Sequence, residues 1–381
     1  MCDFQKGKSI TKKAVTFGKV PVISGGRQPA YYHNEANRSG ETIAISSSGV
    51  YAGYVSYWDI PVFLADSFSV SPKQKTLMPK YLFHYLTTQQ DAIHATKSTG
   101  GIPHVYSKDL QNFLIPIPPL EIQHEIVKIL DAFTELNTEL NTELKARKKQ
   151  YQYYQNMLLD FNDINQNHKD AKMSVKTYPK RLKTLLQTLA PKGVEFGKLG
   201  EVCEILDNRR IPIAKNKRNP GIYPYYGANG IQDYIDSYIF DGDFVLVGED
   251  GSVINKDNTP VVNWASGKIW VNNHAHVLQT KNELKLKFLY FYLQTIDVSY
   301  CVAGTPPKIN QENLKKITIP IPPLEIQQEI VKILDQFSIL TTDLLAGIPA
   351  EIKARKKQYE YYREKLLTFK PLTPHKEVKK C

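Results

Sequence analysis

Seventeen residues from Ile115 to Asp131, IPIPPLEIQHEIVKILD, return as IPIPPLEIQQEIVKILD from Ile319 to Asp335, with 16 of the 17 positions identical. A fold for this chain must therefore offer one structural environment twice. A second match, KARKKQY, occupies Lys145–Tyr151 and Lys353–Tyr359. Its offset is 208 residues against 204 for the first match, so the duplication holds a variable segment inside it.

Each copy opens on prolines that suit an extended exit and a first helical turn but not a helix interior. Glu121 then favours the positive end of a helix starting near Pro119. Apolar residues recur at Ile122, Ile126, Leu130, Phe133, Leu136, Leu140 and Leu144, and on through Tyr151, Tyr154, Leu158 and Phe161, in helical steps. About forty residues at ~1.5 Å rise make a rod of roughly 60 Å, the length of a coiled-coil arm. The second arm runs from Pro323 to about Phe369, and LLAGIPAEI around Gly347 and Pro349 predicts a kink or a broken turn. Two such stripes in one chain can bury each other. Antiparallel packing gives a pseudo-twofold molecule with a globular domain at each end; the alternative packs each helix on its own domain alone. Inside the first arm, TELNTELNTEL at Thr134–Leu144 repeats a four-residue unit nearly three times. It reads as a ruler, since four residues lengthen a helix by about 6 Å and turn it by about 40°. A solvated helix face with a leucine stripe accounts for the same composition.

The segments ahead of the arms match only faintly. GETIAISSSG at Gly40–Gly49 parallels GDFVLVGEDG at Gly242–Gly251: glycine, acid, a β-leaning apolar run, and a polar turn ending in glycine. KYLFHYL from Lys80 parallels KFLYFYL from Lys287, each expected to be a short helix with a buried aromatic face. The frames are nearly identical while the polar loop residues differ. A duplicated catalyst would keep its reactive residues in both halves; a duplicated reader need not. The loops carry donors and acceptors suited to base edges and phosphates: Arg27, Gln28, His33, Asn34, Arg38, Ser46, Ser47 and Ser48 in the first segment. The second offers Arg209, Arg210, Lys215, Lys217, Arg218, Asn229, Gln232, Asn272, Asn273 and Lys308. Any one of these also suits an ordinary surface position. The aromatic runs YYHN at Tyr31 and YPYYGANG at Tyr223 fit either a base-stacking surface or a buried turn.

Charge points the same way. The formal net charge of +11 favours polyanionic partners, because each neutralised phosphate releases counterions. Cys2, Cys203, Cys301 and Cys381 are scattered without metal-ligand spacing, as expected of a reducing, cytoplasmic setting. No stretch approaches eighteen uninterrupted apolar residues, so no membrane partner is expected. The sequence carries no recognisable catalytic motif. ASGKIW at Ala265 lacks the first glycine and the hydroxyl of a phosphate-binding loop. Nothing suits methyl transfer from S-adenosylmethionine. Asp243, Glu283 and Lys285 resemble a nuclease carboxylate set only loosely, and His274 and His276 have no evident metal-ligand partners. The chain reads as non-catalytic, with no cofactor and no metal.

Two variable segments alternating with near-identical arms that open on IPIPPLEIQ and end on KARKKQYxYY resemble the specificity subunit of type I restriction-modification systems. The likeness covers nearly the whole chain. It implies an α+β chain with two globular α/β target recognition domains, separated by two long antiparallel coiled-coil helices in a pseudo-twofold arrangement. The domains would be residues 1–115 and 193–319, with a central arm at 116–165, a linker at 166–192, a C-terminal arm at 320–370 and a tail at 371–381. It implies that each domain reads half of a split site on double-stranded DNA, that the arms set the spacer, and that methylation and restriction subunits dock on them. The competing reading is a structural adaptor whose end domains bind something other than DNA. There is one departure. PKGVEFGKLGEV, Pro191–Val202, precedes the second domain, whereas the first opens at MCDF, level with Cys203. The first domain is thus expected to lack an edge strand, to be completed by the C-terminal tail, or to reflect a misplaced start.

Overall fold

The computed structural model describes residues 1–73, 75–98, 101–161, 178–251, 253–305, 307–343 and 346–369. In chain order these form β1 (Cys2–Lys6), β2 (Val20–Ile23), β3 (Tyr31–His33), β4 (Thr42–Ser46), β5 (Val55–Trp58), β6 (Phe63–Leu64), β7 (Ser67–Pro72), α1 (Pro79–Thr88), α2 (Gln90–Ala95), α3 (Ser107–Leu110) and α4 (Leu120–Leu159). There follow α5 (Lys180–Leu189), β8 (Glu195–Lys198), α6 (Leu199–Val202), β9 (Cys203–Ile205), β10 (Pro220–Gly227), β11 (Gly230–Ile235), β12 (Phe240–Gly248), β13 (Val262–Val271) and β14 (Ala275–Thr280). The chain closes with α7 (Leu286–Leu293), α8 (Gln311–Lys315), β15 (Thr318–Ile321), α9 (Leu324–Thr342) and α10 (Ile348–Leu367). The chain divides into two compact units: residues 1–142 with 351 onward, and residues 143–350. Both are mixed α/β, and α4 runs through the division.

In unit 1 the main sheet has the antiparallel order β1-β7-β4-β5. All five residues of β4, TIAIS, are buried, which is why its centre, Ile43–Ile45, is apolar on both faces rather than alternating. Pro79 stands in the first turn of α1, where a missing N–H costs nothing, and Tyr81, Leu82 and Leu86 turn inward. The first part of α4 adds Ile126, Val127 and Leu130 to this core, and α10 adds Leu367. Further along, Phe133 stacks on Tyr362 with ring centroids 5.5 Å apart and meets Tyr359 at 6.4 Å, so the two helices run in opposite directions within this unit.

Unit 2 repeats that order as β9-β14-β12-β13 and extends it through β10 and β11. The faint sequence echo is therefore a true register, because GETIAISSSG and GDFVLVGEDG both supply the strand between two antiparallel neighbours. Its core joins α7, α9 and the end of α4, where Tyr154 stacks on Phe337 at 5.2 Å. The KYLFHYL and KFLYFYL segments form α1 and α7 as expected.

The repeated motif does the same work in both units. Gln123 is fully buried: its Oε1 accepts from the Met78 N–H at 2.9 Å, and its Nε2 donates to the carbonyls of Thr76 and Pro118, each at 2.7 Å. Gln327 repeats this with the Lys285 N–H at 2.8 Å and the carbonyls of Glu283 at 2.9 Å and Pro322 at 2.7 Å. Lys80 and Asp131 pair at 2.8 Å, and Lys287 and Asp335 at 3.6 Å. Within TELNTELNTEL the helix is unbroken. Thr134, Thr138 and Thr142 donate from their hydroxyls, and Asn137 and Asn141 from their amides, each to the carbonyl four residues back, so these side-chain donors are satisfied locally.

The second arm is broken as its sequence predicts, with α9 ending at Thr342 and α10 starting at Ile348. The predicted linker 166–192 is described from residue 178 on. That part holds α5, whose Leu182 and Leu186 enter the core of unit 2. Residues 162–177 and the tail 371–381 lie outside the described residues.

Candidate nucleic-acid interface

In each unit four loops meet at one end of the main sheet. In unit 1 they are the β2–β3 hairpin, the Ser47–Gly49 turn after β4, Asp66 before β7, and Pro103–Val105. Three backbone hydrogen bonds fix the junction: Ser47 N–H to the Asp66 carbonyl at 3.0 Å, Gly49 N–H to Pro103 at 3.0 Å, and Val105 N–H to Ser47 at 2.9 Å. Unit 2 makes the same three, from Glu249 to His274 at 2.8 Å, Gly251 to Pro307 at 3.0 Å, and Ile309 to Glu249 at 2.8 Å. Gly25 lets the first hairpin come this close, since a Cβ there would stand 2.5 Å from the Ser48 carbonyl oxygen.

The two junctions present different side chains. In unit 1 the Ser48 hydroxyl donates to the Asp66 carboxylate, His104 and Tyr106 stack at 5.9 Å, and the exposed Arg27 guanidinium lies 4.9 Å over the Tyr51 ring. Gln28 and Asn34 are exposed nearby in sequence. In unit 2 Asp250 and His274 replace Ser48 and Asp66, with His274 Nδ1 2.5 Å from the carboxylate. Lys308 stands where His104 does, since Asp250 bridges to Lys308 as Ser48 bridges to His104. Asn229, Gln232 and Asn273 are exposed.

Beneath this second junction lies a network of buried charge. The Arg210 guanidinium reaches Glu249 at 2.6 Å and Asp207 at 3.3 Å, and Lys308 reaches Glu249 at 3.0 Å. The fully buried His276 ring lies 2.6 Å from Asp207 through Nδ1 and 2.7 Å from the Ile309 carbonyl through Nε2. Burial alone would raise the Asp207 carboxyl, but the His276 hydrogen bond and charge, then Arg210 and the Val277 N–H, hold it below the ordinary range. Burial likewise opposes ionisation of Glu249, and the hydrogen bonds from Arg210 and Lys308 outweigh it, again lowering the pKa. Asp207, Glu249 and His276 are close enough to share a metal ion. Two cationic side chains and a carbonyl already take up their ligand atoms.

Several expected readers are built into the interior instead. His33 is buried with Nδ1 3.0 Å from the Thr16 carbonyl, because the chain folds Thr16 across β3. Arg38 spends its guanidinium on the carbonyls of Gln5, Lys6 and Asn37 and on Ser69 Oγ. Ser46 is buried and donates to the Ser24 carbonyl at 3.1 Å. Asn272 is buried between Gln232 and the His274 N–H. Arg210 belongs to the charge network, and Arg218 lies 4.0 Å over the Tyr225 ring while donating to the Ile213 carbonyl. His33, Ser46 and Asn272 are thus buried, and Arg38, Arg210 and Arg218 are half-buried and engaged with their own chain. Arg209 sits over Phe240 at 4.7 Å, still exposed, and Lys215 and Lys217 lie on an exposed turn away from the four loops in sequence. Sequence reasoning missed Asp66, His104, Asp250 and the buried Asp207 and Glu249, and it named His274 and His276 without their partners Asp250 and Asp207. The alignment of GETIAISSSG on GDFVLVGEDG already places Asp250 opposite Ser48 and was the available signal.

A family profile described as the type I restriction modification DNA specificity domain matches residues 1–150 and 191–354, most of the chain and both units. The chain belongs to this family. As a type I specificity chain it has relatives of uneven extent. It is 45% identical to a putative type I restriction enzyme specificity subunit of Haemophilus influenzae over 179 residues, 46% of each chain. It is 34% identical to a putative type I specificity subunit of Mycoplasma pneumoniae over 262 residues, 67% of this chain and 95% of that one. Against the EcoR124I/EcoR124II specificity subunit of Escherichia coli the figure is 29% over 329 residues, 78% and 73% of the two chains. In fold, this specificity subunit resembles the crystal structure of a type I S subunit from M. genitalium, with a TM-score of 0.64 at 19% identity over 97% of this chain and 94% of that one. Among the described residues no helix is long and apolar enough to cross a membrane.

Proposed function

We propose that each four-loop junction reads one half of a bipartite site on double-stranded DNA, unit 1 through Arg27, Gln28, Asn34, Ser47 and Ser48, and unit 2 through Asn229, Gln232, Asn273 and Lys308. The observation that carries this is the pairing of one backbone frame with two unlike sets of side chains, which suits reading two different sequences. Arg209, Lys215 and Lys217, exposed in a basic chain, serve as phosphate contacts. The helices α4, α9 and α10 set the unread spacer and carry methylation and restriction subunits, in which the catalysis resides, and the assembly acts in the cytoplasm. The test is methylome sequencing of cells holding the chain with its partner subunits. Arg27→Ala with Gln28→Ala should relax one half-site and leave the other, and Gln232→Ala with Lys308→Ala should do the converse. Deleting Thr138–Asn141 should keep both halves and shorten the spacer by about two base pairs, from ~6 Å of helix against ~3.4 Å per step. Changes in both half-sites from either pair would refute the assignment.

A further inference from the structure

The two junctions set their side chains in matching rows. In unit 1, Ser48 stands between Asp66, whose carbonyl accepts from the Ser47 N–H, and His104, to which Ser48 is bridged. In unit 2 the same places hold Asp250 between His274 and Lys308. The rows read Asp–Ser–His and His–Asp–Lys, so each contains one carboxylate, carried by a different loop. A neighbour in the row holds each carboxylate. The Ser48 hydroxyl donates to Asp66 Oδ2, and His274 Nδ1 lies 2.5 Å from Asp250 Oδ1. Among the described residues the second oxygen of each has no partner.

Stability does not explain these acids. Asp66 and His274 are exposed and Asp250 is half-buried, and a hydrogen bond or ion pair open to water is worth little. The buried charge network of unit 2 runs through Glu249, Asp207, Arg210 and His276 and does not include Asp250 or His274. Nor do the acids help to hold a polyanion. A carboxylate repels phosphates, in a chain whose net charge of +11 otherwise attracts them. A group that weakens general affinity and adds little stability acts through selectivity.

We propose that Asp66 and Asp250 are specificity-determining residues, each requiring a base with an exocyclic amine, cytosine or adenine, on one strand at one position of its half-site. This rests on the reading of DNA by the four-loop junctions. A carboxylate accepts hydrogen bonds and donates none. In the major groove it can accept from cytosine N4 or adenine N6, whereas guanine O6 and thymine O4 meet it oxygen to oxygen. It therefore tells a base pair from the same pair reversed. Ser48 and His274 each occupy one oxygen and leave the other for the base. The acid stands on the loop before β7 in unit 1 and on the turn after β12 in unit 2, so the amine is required at a different place against the shared frame.

The test is methylome sequencing of cells holding the full chain and its partner subunits, with Asp66→Asn or Asp250→Asn. An amide keeps the size of the carboxylate but both donates and accepts, so it suits either orientation of a pair. Asp66→Asn should make one pair of one half-site reversible, with discrimination there falling about tenfold, and Asp250→Asn should do this in the other half-site. The identity of the relaxed pair tells cytosine from adenine. An unchanged consensus in both variants overturns the proposal. If Arg27→Ala with Gln28→Ala still alters a half-site, the junction reads DNA and this assignment alone fails; if that pair is silent too, the reading fails with it. Relaxation at several positions or in both half-sites also overturns the proposal, because it marks a disturbed loop. Should a variant leave no methylation, the purified complex is titrated with duplexes in which each pair of the half-site is reversed in turn. Binding of one reversed duplex within about tenfold of the natural one supports the proposal, and rejection of all of them, or no binding at all, overturns it.

Discussion

Replacing Gln327 with leucine isolates what the duplicated motif contributes to stability. The substitution keeps volume and shape but deletes three hydrogen bonds, two that tie the Glu283–Lys285 segment to the start of α9 and one to the Pro322 carbonyl just ahead of it. Each neutral bond is worth about 1 kcal/mol net, and the stranded, half-buried Lys285 N–H adds about 1 kcal/mol. Burying leucine instead of an amide returns roughly 1 kcal/mol, leaving a loss of about 3 kcal/mol. Gln123→Leu should cost a similar amount in unit 1, because its three bonds go to the equivalent backbone groups, of Met78, Thr76 and Pro118, at nearly the same lengths. Tryptophan distinguishes the two, since Trp58 lies in unit 1 whereas Trp264 and Trp270 lie in unit 2. In urea, Gln327→Leu should lower the midpoint reported by Trp264 and Trp270, and Gln123→Leu that reported by Trp58, each with little change in slope. A loss under about 0.5 kcal/mol in either variant would mean that the clamp bonds exchange freely with water, and the equivalence of the two copies would fall with it.

Two further outcomes follow from buried ionisable groups. Asp207 and Glu249 have lowered pKa values in the folded chain, so near pH 4 the unfolded chain binds more protons and stability rises with pH there. Their contribution is complete above the ordinary carboxylate range and is lost as pH falls through the depressed values. Urea midpoints of unit 2 should therefore fall in acid, and Glu249→Gln should flatten that fall; an unchanged pH profile in the variant would refute the role given to the network. Burial pushes the Cys203 thiol up to about 12, so it should resist alkylation at pH 8 in the folded chain and react only in denaturant, as peptide mapping would reveal.

Much of this architecture was legible because its signals were local. Prolines before an amphipathic stripe marked the start of α4, and the Gly347–Pro349 stretch marked the break between α9 and α10. The strand echo between Ile43 and Val245 was legible too, since a central strand buried on both faces must be apolar throughout. The site was less legible. Whether Arg38 or Arg27 meets solvent depends on carbonyls of β1, more than thirty residues away in sequence, that converge on Arg38 and miss Arg27. His276 sits in an apolar run, and only the fold brings Asp207 to it from 69 positions upstream. The helix α5 was hidden because its run of lysine, threonine and glutamine looks like a linker until Leu182 and Leu186 find a core.

Unit 1 is assembled from the two extremes of the chain, with Leu366 and Leu367 packed on the cluster that contains Ile43 and Tyr81. Synthesis on a ribosome therefore reverses the written order of folding. All of residues 143–350 can emerge and close on themselves while the earlier half still waits for its last helix. The nascent N-terminal half must spend that interval with Phe133 lacking Tyr359 and Tyr362, and with its core cluster lacking Leu366 and Leu367.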